Sequence, residues 1–192
     1  LRAQGGSTSP TAGAGTVYVR DGSAPTYGQL IVDNGTVAGT PRTVLPSLGK
    51  GTAQAGSGGA TLVTGRSKTI PAYFVGHWVE IRNGATAALE GTWRVASIGA
   101  DGLRVTLASN AGEPVTVDAG DAWQGIYRFD AYTVRGRVDS SDPIRVLGEQ
   151  VIAGPVETSF IDAGRLVIEP GGSLTQPLTA SAASPASLTI EV

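Results

Sequence analysis

The sequence predicts an all-β chain: a parallel β-helix or solenoid-like scaffold with a small antiparallel β-barrel or sandwich inserted into it. Three observations carry that expectation. Glycine and proline supply 28 and 11 of the 192 residues, well above the ~12% of average usage, and such an excess suits short strands joined by tight turns. No stretch sustains apolar residues at helical spacing between caps, so no long helix is expected. Finally, GQLIVDNG (28–35) is echoed by GRLVIEPG (164–171), each reading Gly, polar, Leu, two β-branched residues, an acid, one residue, Gly. An echo at that distance, on either side of a stretch of different texture, suggests two rungs of an interrupted solenoid. Leu30-Ile31-Val32 would then stack on Leu166-Val167-Ile168. A plain β-sandwich is the competing all-β reading, because short apolar strands ending in Gly occur in any β protein.

The elements follow in order. Residues 4–15 are rich in Gly, Ser, Thr and Pro and read as a linker or outer loop. GTVYVRD (15–21) alternates as a half-buried strand, and GQLIVDNG is an apolar run stopped by Asn34-Gly35, a strong turn signal. RTVLP (42–46) is a further short strand. The Gly-rich 49–60 segment reads as a boundary, because the texture changes after it: Trp78, Trp93 and Trp123, with Tyr73, Phe74 and Tyr127, all fall before residue 130.

In this middle stretch the strand candidates are 60–64, 77–82, 91–98, 102–108, 113–117 and 123–129. Asn83-Gly84, Asp101-Gly102 and Asn110-Ala111-Gly112 lie between them. Regular short strands with turn signals predict a small sandwich or barrel with an aromatic core. Beyond Phe129 the chain returns to short strands punctuated by Gly and Pro, ending in SLTIEV. The expected organisation is therefore 1–50 as linker and first rungs, 51–128 as an inserted small β domain, and 129–192 as closing rungs.

The segment GAGTVYVRDGSAPTYGQLIVDNG (13–35) resembles Gly-rich repeat regions of very large bacterial surface and secreted adhesin-like proteins. In those regions a GAGT-(I/V)-Y strand is followed, after a short loop, by G-x-L-(I/V)-V-D-N. A looser likeness runs to about residue 136 through FVGHWVEIRNG and GTWRVASIGADGLRVTL. The resemblance implies right-handed parallel β-helical stalks in a bacterial, exported, repeat-bearing parent, located extracellularly or at the cell surface. It brings no catalytic residue and no ligand.

Composition narrows the function further. The formal net charge is -2, and Lys50 and Lys68 are the only lysines. Without clustered cations to neutralise phosphates, a nucleic-acid partner is not expected. The absence of cysteine removes disulfides, thiolate zinc and thiol catalysis. No apolar stretch approaches the ~18 residues that span a bilayer, so no membrane span is expected. No signal peptide is apparent, and Met is absent even at position 1, so the chain is expected to be a piece of a longer polypeptide.

Candidate sites are few. His77 is the only histidine, with no G-x-S-x-G elbow to accompany it; packing is its expected role, and no catalytic residue is assigned. Asp118 and Asp121 (VDAGDA) and Asp139 and Asp142 (DSSD) are acid pairs in turns that could offer calcium some of its six to eight oxygens. Turn-capping by Asp is the competing reading, and otherwise no cofactor is expected. Glu80, Glu90, Glu113, Asp130 and Glu157 would have to pair across a cleft for glycoside hydrolysis. Trp78, Trp93 and Trp123 would stack on a surface glycan if exposed and form a core if buried. The functional expectation is a non-catalytic structural or adhesive module, with carbohydrate binding through the Trp/Tyr set as the alternative. Its expected partners are neighbouring domains of the same polypeptide or copies of itself.

Overall fold

Sixteen strands and one 3-10 turn form the regular structure among the described residues. The computed structural model describes residues 13–20, 27–35, 41–158, 160–175 and 189–191. Strands β1 (Thr16–Val19), β2 (Gln29–Asp33) and β3 (Thr43–Leu45) come first. Then follow β4 (Lys50–Thr52), β5 (Thr61–Val63), β6 (Trp78–Arg82), β7 (Leu89–Ile98), β8 (Arg104–Ala108) and β9 (Ala122–Phe129). The series closes with β10 (Ala131–Arg135), β11 (Val138–Ser140), β12 (Ile144–Ile152), β13 (Pro155–Thr158), β14 (Phe160–Ile168), β15 (Ser173–Thr175) and β16 (Thr189–Glu191). The chain is all-β with mixed sheets and divides into two units: Leu1–Ser47 with Arg128–Val192, and Leu48–Tyr127.

The first unit is dominated by parallel pairing. Strand β10 lies between β2 and β12, β12 pairs β14, and β14 pairs β16, all parallel. A second parallel ladder runs β3, β11, β13, β15. The registers place Leu30, Tyr132, Gln150 and Leu166 in one column, and Val32, Val134, Ile152 and Ile168 two positions on. The two echoing segments thus occupy equivalent positions of one ladder, with two further strands between them. The side chains of these two columns point inward in the middle rows: Tyr132, Val134, Gln150 and Ile152 are fully buried. The column between them, Ile31, Thr133, Val151 and Val167, is half-buried, as the two-residue alternation of a strand requires.

A column of glycines sets how closely the chain turns between the two ladders. Gly136, Gly154 and Gly172 recur every eighteen residues, two positions before Val138, Val156 and Leu174 in the second ladder. A Cβ on Gly154 would lie 2.5 Å from the Gly136 carbonyl oxygen, and one on Gly172 would lie 2.2 Å from that of Ile152. Main chain passes too near main chain for any side chain there.

At the other end, β1 pairs antiparallel on β2 and so ends the parallel series. GTVYVRD was expected to be half-buried, but Tyr18 and Val19 are 54% and 40% exposed, because β1 is an edge strand. Tyr18 Oη is anchored to the Tyr27 carbonyl at 2.7 Å.

The second unit is an antiparallel ladder in the order β4, β9, β6, β7, β8, β5. Alternate residues face a single hydrophobic cluster: Val79 and Ile81 from β6, Trp93 and Val95 from β7, Val105 and Leu107 from β8, and Trp123 from β9. Phe74 joins them from the 3-10 turn Ala72–Phe74. Burying such side chains stabilises the unit by about 1.5–3 kcal/mol each.

One expectation needs correction in this unit. EPVTV (113–117) is not a strand; it runs without a ladder, although Val117 is in the cluster and Val115 packs on it. The Gly-rich 49–60 stretch, read as a boundary, contains β4, and Gln54 N–H donates to the Val63 carbonyl at 2.9 Å, beside β5. Glycine there permits close approach, since a Cβ on Gly51 would lie 3.1 Å from the Trp123 indole nitrogen.

Candidate functional site

The tryptophans do not form a stacking platform. Trp93 and Trp123 are 1% and 2% exposed, inside the hydrophobic cluster, and the Trp123 indole N–H donates to the Thr64 carbonyl at 3.1 Å. Trp78 lies on the opposite face of β6 and is also buried, with the Arg94 guanidinium 5.9 Å from its ring centre. A sugar stacks on an open aromatic face; none of these three offers one, so they are corrected from ligand-binding to packing residues.

His77 packs edge-on to Phe74 and Tyr127, with ring centres 5.2 and 4.8 Å away. The acids are engaged one by one. Glu80 Oε1 accepts from Arg82 Nε at 2.7 Å, Glu90 from Asn83 Nδ2 at 3.0 Å, and Asp130 from Gly28 N at 2.9 Å. Glu113 accepts from Ala111 N, and its carboxyl is held below the usual range by its own backbone N–H and then by the Ser109 hydroxyl. Asp101 is likewise held low, by the backbone N–H groups of Leu103 and then Arg104, which close its hairpin. The side chain of Glu157 lies outside the described residues.

The turn aspartates act as braces. Buried Asp121 accepts from Asp118 N at 2.7 Å and Gly84 N at 3.2 Å, tying two turns of the second unit together. In the first unit, Asp139 takes both contacts from Arg42 Nη1, at 2.9 and 3.1 Å. Buried Asp142 accepts from Ser47 Oγ at 2.6 Å. Among the described residues, no group of three or more His, Asp or Glu side chains converges as a metal site. The aspartates divide between the two units; Asp121, Asp139 and Asp142 spend carboxylate oxygens on protein donors, while Asp118 gives its backbone N–H to Asp121.

A hollow of about 340 Å³ is the concave feature that does gather polar chemistry. It lies across β4, β9 and β6, on the face turned away from the core. Register explains its make-up. Lys50, Gln124 and Glu80 stand side by side in one cross-strand row, and Thr52, Ala122 and Arg82 in the next. Neighbouring strands are about 4.8 Å apart, and alternate residues along a strand about 6.7 Å, so six side chains share one small area. Ala122 is the short member, and it makes the dip. Gly51 and Trp123 complete its lining.

Sequence reasoning missed these residues except Glu80 and Trp123. Lys50 and Gln124 sit 74 positions apart in a chain where neither belongs to a motif. No family model matches this chain, no curated protein is significantly similar to it, and no solved structure matches it.

Proposed function

We propose that the chain is a non-catalytic structural and adhesive module of a large bacterial surface or secreted protein. In this reading the first unit is a short stretch of parallel β-helix, and the second is a small barrel inserted into its sequence. The observation that carries the reading is the four-strand register of β2, β10, β12 and β14, with the 28–35 and 164–171 echo at equivalent positions. Rungs stacked in this way satisfy main-chain groups row by row and bury a continuous apolar column, which suits load-bearing. The Gln54–Val63 main-chain bond beside the two outer strands β4 and β5 supports the barrel. The likeness of 13–35 to adhesin-like repeat regions supports the exported, bacterial setting.

Ile168, 51% exposed in the β14 row, supports partnership with a neighbouring domain or a second copy. No helix among the described residues is long and apolar enough to cross a membrane.

Pulling a single molecule by its two ends tests the scaffold. Rungs should release in successive steps of about 60 Å, the reach of ~18 extended residues. Extension of the first unit at negligible force, without steps, would remove the load-bearing role.

A further inference from the structure

We propose that the hollow across β4, β9 and β6 binds a carboxylated sugar, with Lys50 holding the carboxylate. Its charge is the first argument. Arg82 is already paired with the buried Glu80, at 2.7 Å, so the excess charge is a single one, the Lys50 ammonium. One cation matches a monoanion such as a carboxylate better than a dianionic phosphate.

The second argument is the unused hydrogen-bonding capacity. Among the described residues, the side chains of Lys50, Thr52 and Gln124 have no partner, while they stand in two adjacent rows around Ala122. Together they offer an ammonium, a hydroxyl that donates and accepts, and an amide that does both. Vicinal sugar hydroxyls need that mixture. The third argument is the floor. The Ala122 methyl gives a small apolar patch for the C–H face of a pyranose, and about 340 Å³ is the scale of a small-ligand site. Hydroxyls, one negative charge and one apolar face describe a hexuronic acid. This site is separate from the tryptophan stacking excluded above and does not depend on the scaffold role.

The test is an amide-resolved NMR titration of the full chain with a galacturonic acid trimer. Neutral galactose trimer and sodium acetate serve as parallel titrations. Saturable shifts at Gly51, Thr52, Arg82 and Gln124, with half-saturation at about 1 mM, are expected for the acidic trimer alone. Lys50→Ala should weaken binding about tenfold, and Lys50→Arg should restore most of it. Gln124→Ala, a change on the same exposed face, should weaken binding by a smaller factor. Three outcomes overturn the proposal: no saturation with the acidic trimer, equal binding of the neutral trimer, or equal shifts with acetate, which would leave only non-specific anion attraction. Unchanged affinity in a folded Lys50→Ala variant would overturn the role of Lys50.

Discussion

The two units solve the same problem in opposite ways. In the second unit six antiparallel strands surround one cluster built around Trp93 and Trp123, and the cluster is complete in itself. In the first unit parallel rows are repeated, and their registers line buried side chains up in columns from one strand to the next. A core of the first kind fails as a whole when a large member is removed. A stack of the second kind tolerates variation along a column but depends on the spacing between rows. The contrast also explains where aromatic residues were placed. Two tryptophans fill the one cluster, whereas the stack uses Val, Ile and Leu in its interior columns, with Tyr132 and Gln150 as the exceptions.

The sharpest break comes from Trp93→Ala. Removing this buried indole should cost about 3–5 kcal/mol, through lost burial and the cavity left behind. In hydrogen exchange the amides of β6–β8 should lose protection while those of β10 and β12 keep theirs. Equal loss in both units would mean that the cluster is not private to the second.

Gly154→Ala breaks the other partner of the comparison. Its methyl would meet the Gly136 carbonyl at 2.5 Å. With main chain on both sides the strain has no flexible side chain to absorb it, so a loss of about 1–3 kcal/mol is expected. Exchange should quicken at β11 and β13 and stay slow at β6. A neutral result would show that row spacing does not limit the stack.

Gln150→Leu sharpens the comparison in the opposite direction. Gln150 is fully buried in the Leu30–Tyr132–Leu166 column, and neither atom of its amide has a hydrogen-bond partner among the described residues. A buried amide left unsatisfied costs about 1–3 kcal/mol, and leucine is close in size, so the variant should raise the denaturant midpoint by an equivalent of about 1 kcal/mol. A lower midpoint would mean that the amide has a stabilising partner.

Much of the element list was legible in the sequence because it rests on local chemistry. Two-residue alternation marks β8 and β10, and Asp101-Gly102 marks a hairpin closed by the Asp101 carboxylate on Leu103 and Arg104. The echo between 28–35 and 164–171 falls on equivalent positions of one ladder. The eighteen-residue recurrence of Gly136, Gly154 and Gly172 was also present in the sequence as a signal. It is hard to see there because 28 glycines hide three. β4 escaped notice because KGT carries no alternation; it is a strand only because β9 supplies its partner groups.

What the sequence determined by itself is the strand-and-turn character of the chain, since backbone sterics and alternation act over a few residues. Which face each strand turned inward was decided by tertiary structure. Trp78 and Trp93 belong to adjacent β strands with similar aromatic patterns, yet only Trp93 points into the cluster, because the β6–β7 register pairs Trp93 with inward-facing Val79 and Trp78 with Arg94. The same long-range register assembled the hollow, bringing Lys50, Glu80 and Gln124 into one row from three distant segments. No local rule links residues that far apart; only pairing the strands and burying the sheet's other face fixes which of them stand together.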